Sequence, residues 1–115
     1  MSKTKLIIVQ GQYEFIHRYA QAPQEVLYLR NHHRHMFHYR VELEVYHDDR
    51  ELEFIMVKHE IEDYLSRREQ NWNEETSCEQ MAECIGLCLQ AKYGFERSLA
   101  VSVFEDNENG AKIIM

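Results

Sequence analysis

The chain has few of the residues that interrupt or cross-link a fold. One proline and four glycines stand among 115 residues, too few for a linker or a low-complexity protein. Three cysteines are an odd number, and they lie in one helix-like stretch where disulfide pairing is geometrically awkward. No run approaches the roughly eighteen apolar residues of a membrane span. The first ten residues also lack the apolar region and cleavage site of a signal peptide, so we expect a soluble, cytoplasmic protein with no membrane partner.

An excess of positive charge is absent as well. Thirteen Lys and Arg residues face twenty Asp and Glu residues, which leaves a net charge of −7. A surface with this overall charge repels polyanions unless a local patch overcomes it, so we expect no nucleic-acid partner. The apolar fraction of 44% and the aromatic fraction of 11% are enough to bury one modest core. The sequence therefore predicts a single domain over residues 1–115.

The first half of the chain has the pattern of β-strands. Residues 5–9 and 13–19 flank Gly11 and predict either a pair of strands or one strand with a bulge. Val41, Leu43 and Val45 alternate with charged residues, which indicates a strand with one buried face. A turn at residues 47–50 leads to a second alternating run at 52–56, and the two runs together predict a hairpin.

The second half begins with helices. Apolar residues recur at helical spacing from Val57, and Thr76 or Ser77 can cap a second helix that runs to Gly94. The polar stretch at residues 66–75 predicts a loop between them. Residues 98–104 and 111–115 predict two closing strands. The order strands, helix, helix, strands predicts an α+β domain in which two helices pack on one face of an antiparallel sheet.

Seven histidines are the unusual feature of the composition. His33 and His35 are two residues apart, so in a strand they share one face, and His17 lies in an earlier strand. Three imidazoles that converge from neighbouring strands would form an open Zn²⁺ site with a position left for water or substrate. No short fixed-spacing zinc motif accompanies them, and histidines at a strand entrance are also common as surface or core residues. Both interpretations stay open on spacing alone.

Glu105 and the three cysteines are the other side chains that could bind a ligand or a metal. Glu105 ends an apolar strand, where a carboxylate can accept two N–H groups from the edge of a pterin or guanine. The alternative is a solvated turn acid, because Asp106 and Glu108 follow. Cys78, Cys84 and Cys88 could be soft metal ligands, but on an amphipathic helix they are better interpreted as reduced core residues.

The order of these motifs resembles the 6-pyruvoyl-tetrahydropterin synthase and 6-carboxytetrahydropterin synthase family, which has the tunnelling fold (T-fold). The resemblance covers nearly the whole chain. It rests on the segments Tyr13–Tyr19, His33–Val45, Leu52–Phe54 with Lys58, Thr76–Gln80 and Val101–Asp106. Each segment is weak alone, but five in the right order are fairly specific for the fold.

The resemblance implies a metal site and a ligand site. The family's three zinc histidines correspond to His17, His33 and His35, and its pterin-anchoring glutamate corresponds to Glu105. The segment His33–Val45 can also be aligned with the family on residues 39–41. The two family histidines of this strand then fall on His35 and Phe37, and His38 or His33 would have to replace one zinc ligand. The resemblance also implies a homo-oligomer in which sheets of several subunits join and the sites lie at subunit interfaces.

The groups that perform the family's chemistry are replaced. Residues 27–31 contain no cysteine where the family has its catalytic one, and Ser66 and Arg67 stand where it has an Asp-His pair. Neither side chain can act as that acid-base pair. Three hypotheses follow: a pterin synthase-like lyase that uses Zn²⁺ and another base such as His38 or His47, a non-catalytic pterin-, purine- or nucleotide-binding protein, and a purely structural oligomer. The catalytic residues are unknown at this point.

Overall fold

The structure, a computed structural model, describes residues 3–67 and 72–115, without the side chains of His17 and His33. Within these residues four strands and three helices form an α+β fold, which confirms the predicted class. In chain order the elements are β1 (Lys5–His17), a 3₁₀ helix (Gln24–Arg30), β2 (His33–Val45), α1 (Phe54–Ser66), α2 (Cys78–Tyr93), β3 (Leu99–Glu105) and β4 (Asn109–Ile114). The 3₁₀ helix between the first two strands was not predicted, and the loop predicted at 66–75 lies partly outside the described residues.

The strands form one antiparallel sheet in the order β1-β2-β3-β4. β1 is one continuous strand without a bulge, because its register with β2 runs unbroken through the pair Gly11 and Tyr39. Glycine is needed there because the Tyr39 ring lies across this position. A side chain at Gly11 would place its Cβ 2.5 Å from Cζ of Tyr39. The prediction of two separate strands at the start of the chain is therefore wrong.

The prediction of a strand at residues 52–56, and of its hairpin with the preceding strand, is also wrong, since α1 begins at Phe54 and β2 pairs with β1 and β3. The Glu53 carboxylate accepts a hydrogen bond from the backbone N–H of Ile55 at 2.7 Å and so caps the helix. Phe54 and Met56 keep 52% and 67% of their surface exposed. Their apolar character does not mark a buried face of a strand.

The second helix has the start that the sequence predicts. The Ser77 hydroxyl accepts from the Gln80 N–H at 3.2 Å, and the Gln80 side chain accepts from the Ser77 N–H at 2.9 Å, which completes a capping box. α2 ends at Tyr93, before Gly94, whose φ of 106° disfavours other residues. Neither this helix nor any other in the described part of the chain is long and apolar enough to cross a membrane.

The core lies between the two α-helices and one face of the sheet. Odd-numbered residues of β1, β2 and β3 point to this face, as the two-residue period of a strand requires. Val41 and Val101 of the sheet, and Ile61 and Ile85 of the helices, are at most 1% exposed. Any odd-numbered residue further along these strands therefore belongs to the same helix-covered face.

Arg97 joins the ends of several elements at one end of the sheet. Its guanidinium donates to the carbonyl oxygens of Tyr93 and Glu44, each at 3.0 Å, and to the Glu51 carboxylate at 2.6 Å. It also lies 4.6 Å from the centre of the Tyr46 ring. The hydrogen bond from Arg97, and then the one from the Tyr46 N–H, hold the pKa of Glu51 below its ordinary value of 4.5.

Replacement of Glu51 by glutamine is expected to flatten the acid side of the stability profile. Because the folded-state pKa of Glu51 is depressed, its stabilisation is complete above the ordinary value of 4.5 and is lost as the pH falls through the folded value. Thermal unfolding followed by circular dichroism between about pH 7 and 3 should show a lower Tm at neutral pH and a shallower acid decline for Glu51→Gln. Glu108→Gln, in an exposed turn, should follow the wild type. If the Tm of Glu51→Gln falls as steeply with pH as that of the wild type, the lowered pKa of Glu51 does not account for the acid decline.

Candidate functional site

The three histidines of the predicted metal site belong to one end of the sheet. In the register of β1 and β2, His17 pairs with His33, and His35 follows two residues later opposite Phe15. All three positions are odd-numbered, as are the core-facing residues further along these strands. β3 pairs with β2 only from Phe37 onward, so the histidine positions lie where the first hairpin extends beyond β3. The predicted ligation by His17 and His33 concerns side chains outside the described residues.

His35 is held between two carboxylates. Its Nδ1 lies 2.6 Å from Oδ2 of Asp106, and its Nε2 lies 3.5 Å from Oε2 of Glu105. The imidazole is only 20% exposed, and its ring meets the Phe37 ring edge-on at 6.0 Å. One zinc-candidate histidine therefore lies beside the predicted ligand anchor, although the two residues are far apart in the chain.

Asp106 was predicted only as a turn residue, and the structure gives it specific contacts. Its backbone N–H donates to the Met36 carbonyl at 2.7 Å, and its Oδ1 accepts from the Met36 N–H at 3.1 Å. Asp106 and Asn107 have φ values of 52° and 59°, in the left-handed region that Asp and Asn tolerate. The hydrogen bond from His35, followed by the one from the Met36 N–H, lowers the pKa of Asp106 from 3.8. The carboxylate is thus ionised and fixed at neutral pH.

Glu105 borders a cavity of about 550 Å³, a size typical of small-molecule sites. The strand register places Glu105 opposite Phe37 of β2 and opposite Asn109 of β4. The other walls include Arg18, Glu75, the cap residue Ser77 of α2 and the first two residues of that helix, Cys78 and Glu79. The predicted position of Glu105 at the end of a strand is correct, and this strand end opens into a cavity.

The cysteine in this cavity is not an activated nucleophile. Burial, and then the charges of Glu105 and Glu79, raise the pKa of the Cys78 thiol to about 12. Cys84 and Cys88 are partly buried, and all three cysteines are free. Burial also raises the pKa of Cys88. The interpretation of the cysteines as reduced residues of a helix packed on the core agrees with this arrangement.

A group of charged residues fixes the rim of the cavity. The Glu74 carboxylate forms an ion pair with Arg18, with Oε1 3.2 Å from Nε, and it accepts from His32 Nε2 at 2.9 Å. The Glu74 carbonyl accepts from the Arg18 N–H at 2.7 Å. The Glu75 carboxylate accepts from the Ala20 N–H at 3.2 Å. These contacts hold the end of β1 against the segment before α2. The sequence analysis missed them, because no local pattern links residues that lie this far apart in the chain.

The remaining histidine candidates lie elsewhere. His38 is even-numbered, pairs with Gln12 and Phe104, and so belongs to the opposite face of the sheet from His35. His47 lies in the turn after Val45, and Val45 itself is about 33 Å along β2 from His35 at about 3.3 Å per residue. Within one chain, neither His38 nor His47 therefore lies beside His35, and their suggested roles as a replacement ligand or a base stay predictions.

Among the side chains that the structure describes, no group of three or more His, Cys, Asp or Glu residues has the arrangement of a metal site. The side chains of His17 and His33 lie outside this described set. No protein-family model matches the chain, and no curated protein matches it either. The site must be interpreted from its own geometry.

Proposed function

We propose that this chain is a diverged tunnelling-fold protein that binds a pterin- or purine-like ligand at Glu105. The observation that carries the proposal is the position of Glu105, which ends β3 at the wall of a 550 Å³ cavity and lies 3.5 Å from His35. A carboxylate offers two coplanar acceptors, which match the two N–H groups on the amino-pyrimidinone edge of a pterin or guanine. The antiparallel four-stranded sheet with helices on one face is compatible with the T-fold.

A Zn²⁺ ion bound by His17, His33 and His35 is part of the same proposal. The strand register supports it, since it brings the three positions to one face at one end of the sheet. The contacts of His35 support it too. Nδ1 contacts Asp106 at 2.6 Å, so Nε2, which lies 3.5 Å from Glu105, is the nitrogen that would ligate the ion. When bound, the ion would act as a Lewis acid toward a polar group of the ligand.

Binding is favoured over turnover as the present role of the site. The one cysteine that lines the cavity has a strongly raised pKa and is therefore a poor nucleophile. Arg67, which stands where the similar family has its catalytic histidine, forms an ion pair with Asp63. A pterin synthase-like lyase reaction would need another acid and base, so a non-catalytic ligand-binding protein is the stronger alternative.

A homo-oligomer completes the proposal. β1 and β4 are the edges of the sheet, and unpaired edge strands favour association with other strands. The sheet face opposite the helices exposes large apolar side chains, including Leu6 at 44%, Ile8 at 46% and Ile114 at 80%. Subunits that join at these edges would form one larger sheet, and closure of that sheet into a ring would enclose this apolar face.

Glu105→Gln is expected to abolish ligand stabilisation while the fold persists. The glutamine has nearly the same shape, but it replaces one acceptor by a donor, which opposes an N–H of the ligand. In a thermal-shift panel of neopterin, guanine and purine nucleotides, a ligand at a hundred times its Kd should stabilise the wild type by about 2.7 kcal/mol. This corresponds to roughly 10 °C in Tm, and the variant should show almost no shift.

The controls separate the possible failures. Glu108→Gln removes a nearby exposed carboxylate and should respond to ligand as the wild type does. Light scattering on the same samples detects any loss of assembly. If no compound of the panel stabilises the wild type, the proposed pterin- or purine-like ligand is refuted. If a compound stabilises Glu105→Gln as much as the wild type, the role of Glu105 as the anchor is refuted. If Glu105→Gln unfolds, Glu105 is structural and the anchor is likewise refuted.

A further inference from the structure

The turn between β3 and β4 carries a carboxylate that faces the strand of the histidines. Asp106 reaches Nδ1 of His35 at 2.6 Å with one oxygen and the backbone N–H of Met36 at 3.1 Å with the other. Its own N–H donates to the Met36 carbonyl at 2.7 Å. Three contacts with two consecutive residues of β2 leave this side chain little freedom.

The chemistry of the contact determines the tautomer of His35. An ionised carboxylate only accepts hydrogen bonds, so the ring nitrogen 2.6 Å from Asp106 must carry the proton. In the neutral ring the lone pair then belongs to Nε2. That atom is the one on the side of Glu105, 3.5 Å from its Oε2. A lone pair and a carboxylate oxygen at this separation attract a cation, either a proton on Nε2 or a metal ion.

We propose that Asp106 is the positioning residue for His35: it holds the ring in the Nδ1–H tautomer and directs Nε2 toward Glu105 as a metal ligand. The inference rests on the proposed function, since it assigns a role within the same site. Carboxylates that accept from the second nitrogen of a ligating histidine fix its orientation and raise its basicity. Asp106 does not touch the ligand or the metal in this scheme, and it acts only through His35.

Asp106→Asn is the most informative substitution. Asparagine tolerates the left-handed backbone of the turn, and its oxygen can still accept from the Met36 N–H. Its amide nitrogen is a donor, however, and it faces the position of the Nδ1 proton. We expect the ring to reverse its tautomer, so that Nδ1 accepts and Nε2 carries the proton. A protonated Nε2 cannot ligate a metal.

Two measurements test the role. Long-range ¹H–¹⁵N correlation spectra of histidine-labelled, metal-free protein, at a pH where the imidazoles are neutral, report the tautomer. His35→Gln identifies the signals. The wild type should show a protonated Nδ1 and Asp106→Asn a protonated Nε2. Zn²⁺ competition with a chromophoric chelator should show an affinity lower by roughly 10- to 100-fold in Asp106→Asn. Asp49→Asn removes an exposed carboxylate from the opposite end of the sheet and should change neither readout.

The outcomes distinguish this inference from the function on which it rests. If the wild type takes up no Zn²⁺, the metal in the proposed function is refuted, and the tautomer comparison alone decides the role of Asp106. If His35 occupies the other tautomer or a mixture in the wild type, the positioning role is refuted. Equal Zn²⁺ affinity in Asp106→Asn and wild type would refute it as well, with the metal site itself intact.

Discussion

Replacement of Phe37 by alanine is expected to lower the free energy of unfolding by about 3–5 kcal/mol, the usual cost of deleting a buried aromatic ring. Phe37 is fully buried, at 0% exposure. Its ring stacks on that of Tyr13 at 5.5 Å and meets the ring of Phe15 at 6.2 Å. The cross-strand pair of Tyr13 and Phe37 joins β1 to β2 just inside the histidine positions. The cavity left by alanine would lie beneath the site.

Urea unfolding checks this expectation with a built-in probe. Trp72 is the single tryptophan of the chain, and it lies 5.9 Å from Tyr13 and 6.0 Å from Phe15 in the same aromatic cluster. Its fluorescence should report the loss of this packing. Phe37→Leu keeps most of the apolar volume and should lose less than half as much stability. If Phe37→Ala unfolds at the same urea concentration as the wild type, the ring contacts do not stabilise the fold.

The parts of the fold that the sequence predicts correctly are those with strong local signals. β2 alternates over thirteen residues, and only one face of it can be buried. α2 begins at a capping box whose donors and acceptors lie within four residues of one another. The alternation at residues 52–56 is too short to separate strand from helix. There the cap at Glu53 decides the structure, and the apolar side chains of Phe54 and Met56 stay largely exposed.

The candidate site was predictable only in pieces. The two-residue spacing of His33 and His35 and the position of Glu105 at a strand end follow from local pattern. The approach of His35 to Glu105 depends on the register of β2 and β3, which the whole sheet determines. Asp106 could not be distinguished from Glu108 in the sequence, because both are acids of one turn. Only the left-handed backbone at Asp106 directs its carboxylate to β2.

Replacement of Gly110 by alanine is expected to destabilise the fold by about 3 kcal/mol, the upper range for overpacking. Gly110 lies opposite Phe104 in the pairing of β3 and β4. A Cβ at this position would overlap the Val103 carbonyl oxygen and lie 2.7 Å from Cα of Phe104. These are backbone atoms, which cannot rotate away as a flexible side chain can. The two strands must separate locally to admit a methyl group.

The same separation should reach the ligand site, because Gly110 and Glu105 both border the cavity. Glu105 pairs with Asn109, the neighbour of Gly110, so its carboxylate moves when this end of the hairpin opens. We therefore expect Gly110→Ala to lower both the Tm and the Tm shift that an active ligand produces. Asn109→Ala, one residue earlier and exposed, should change the free energy of unfolding by no more than about 0.5 kcal/mol. Equal stability of the two variants would mean that β3 and β4 do not approach as closely as the structure describes.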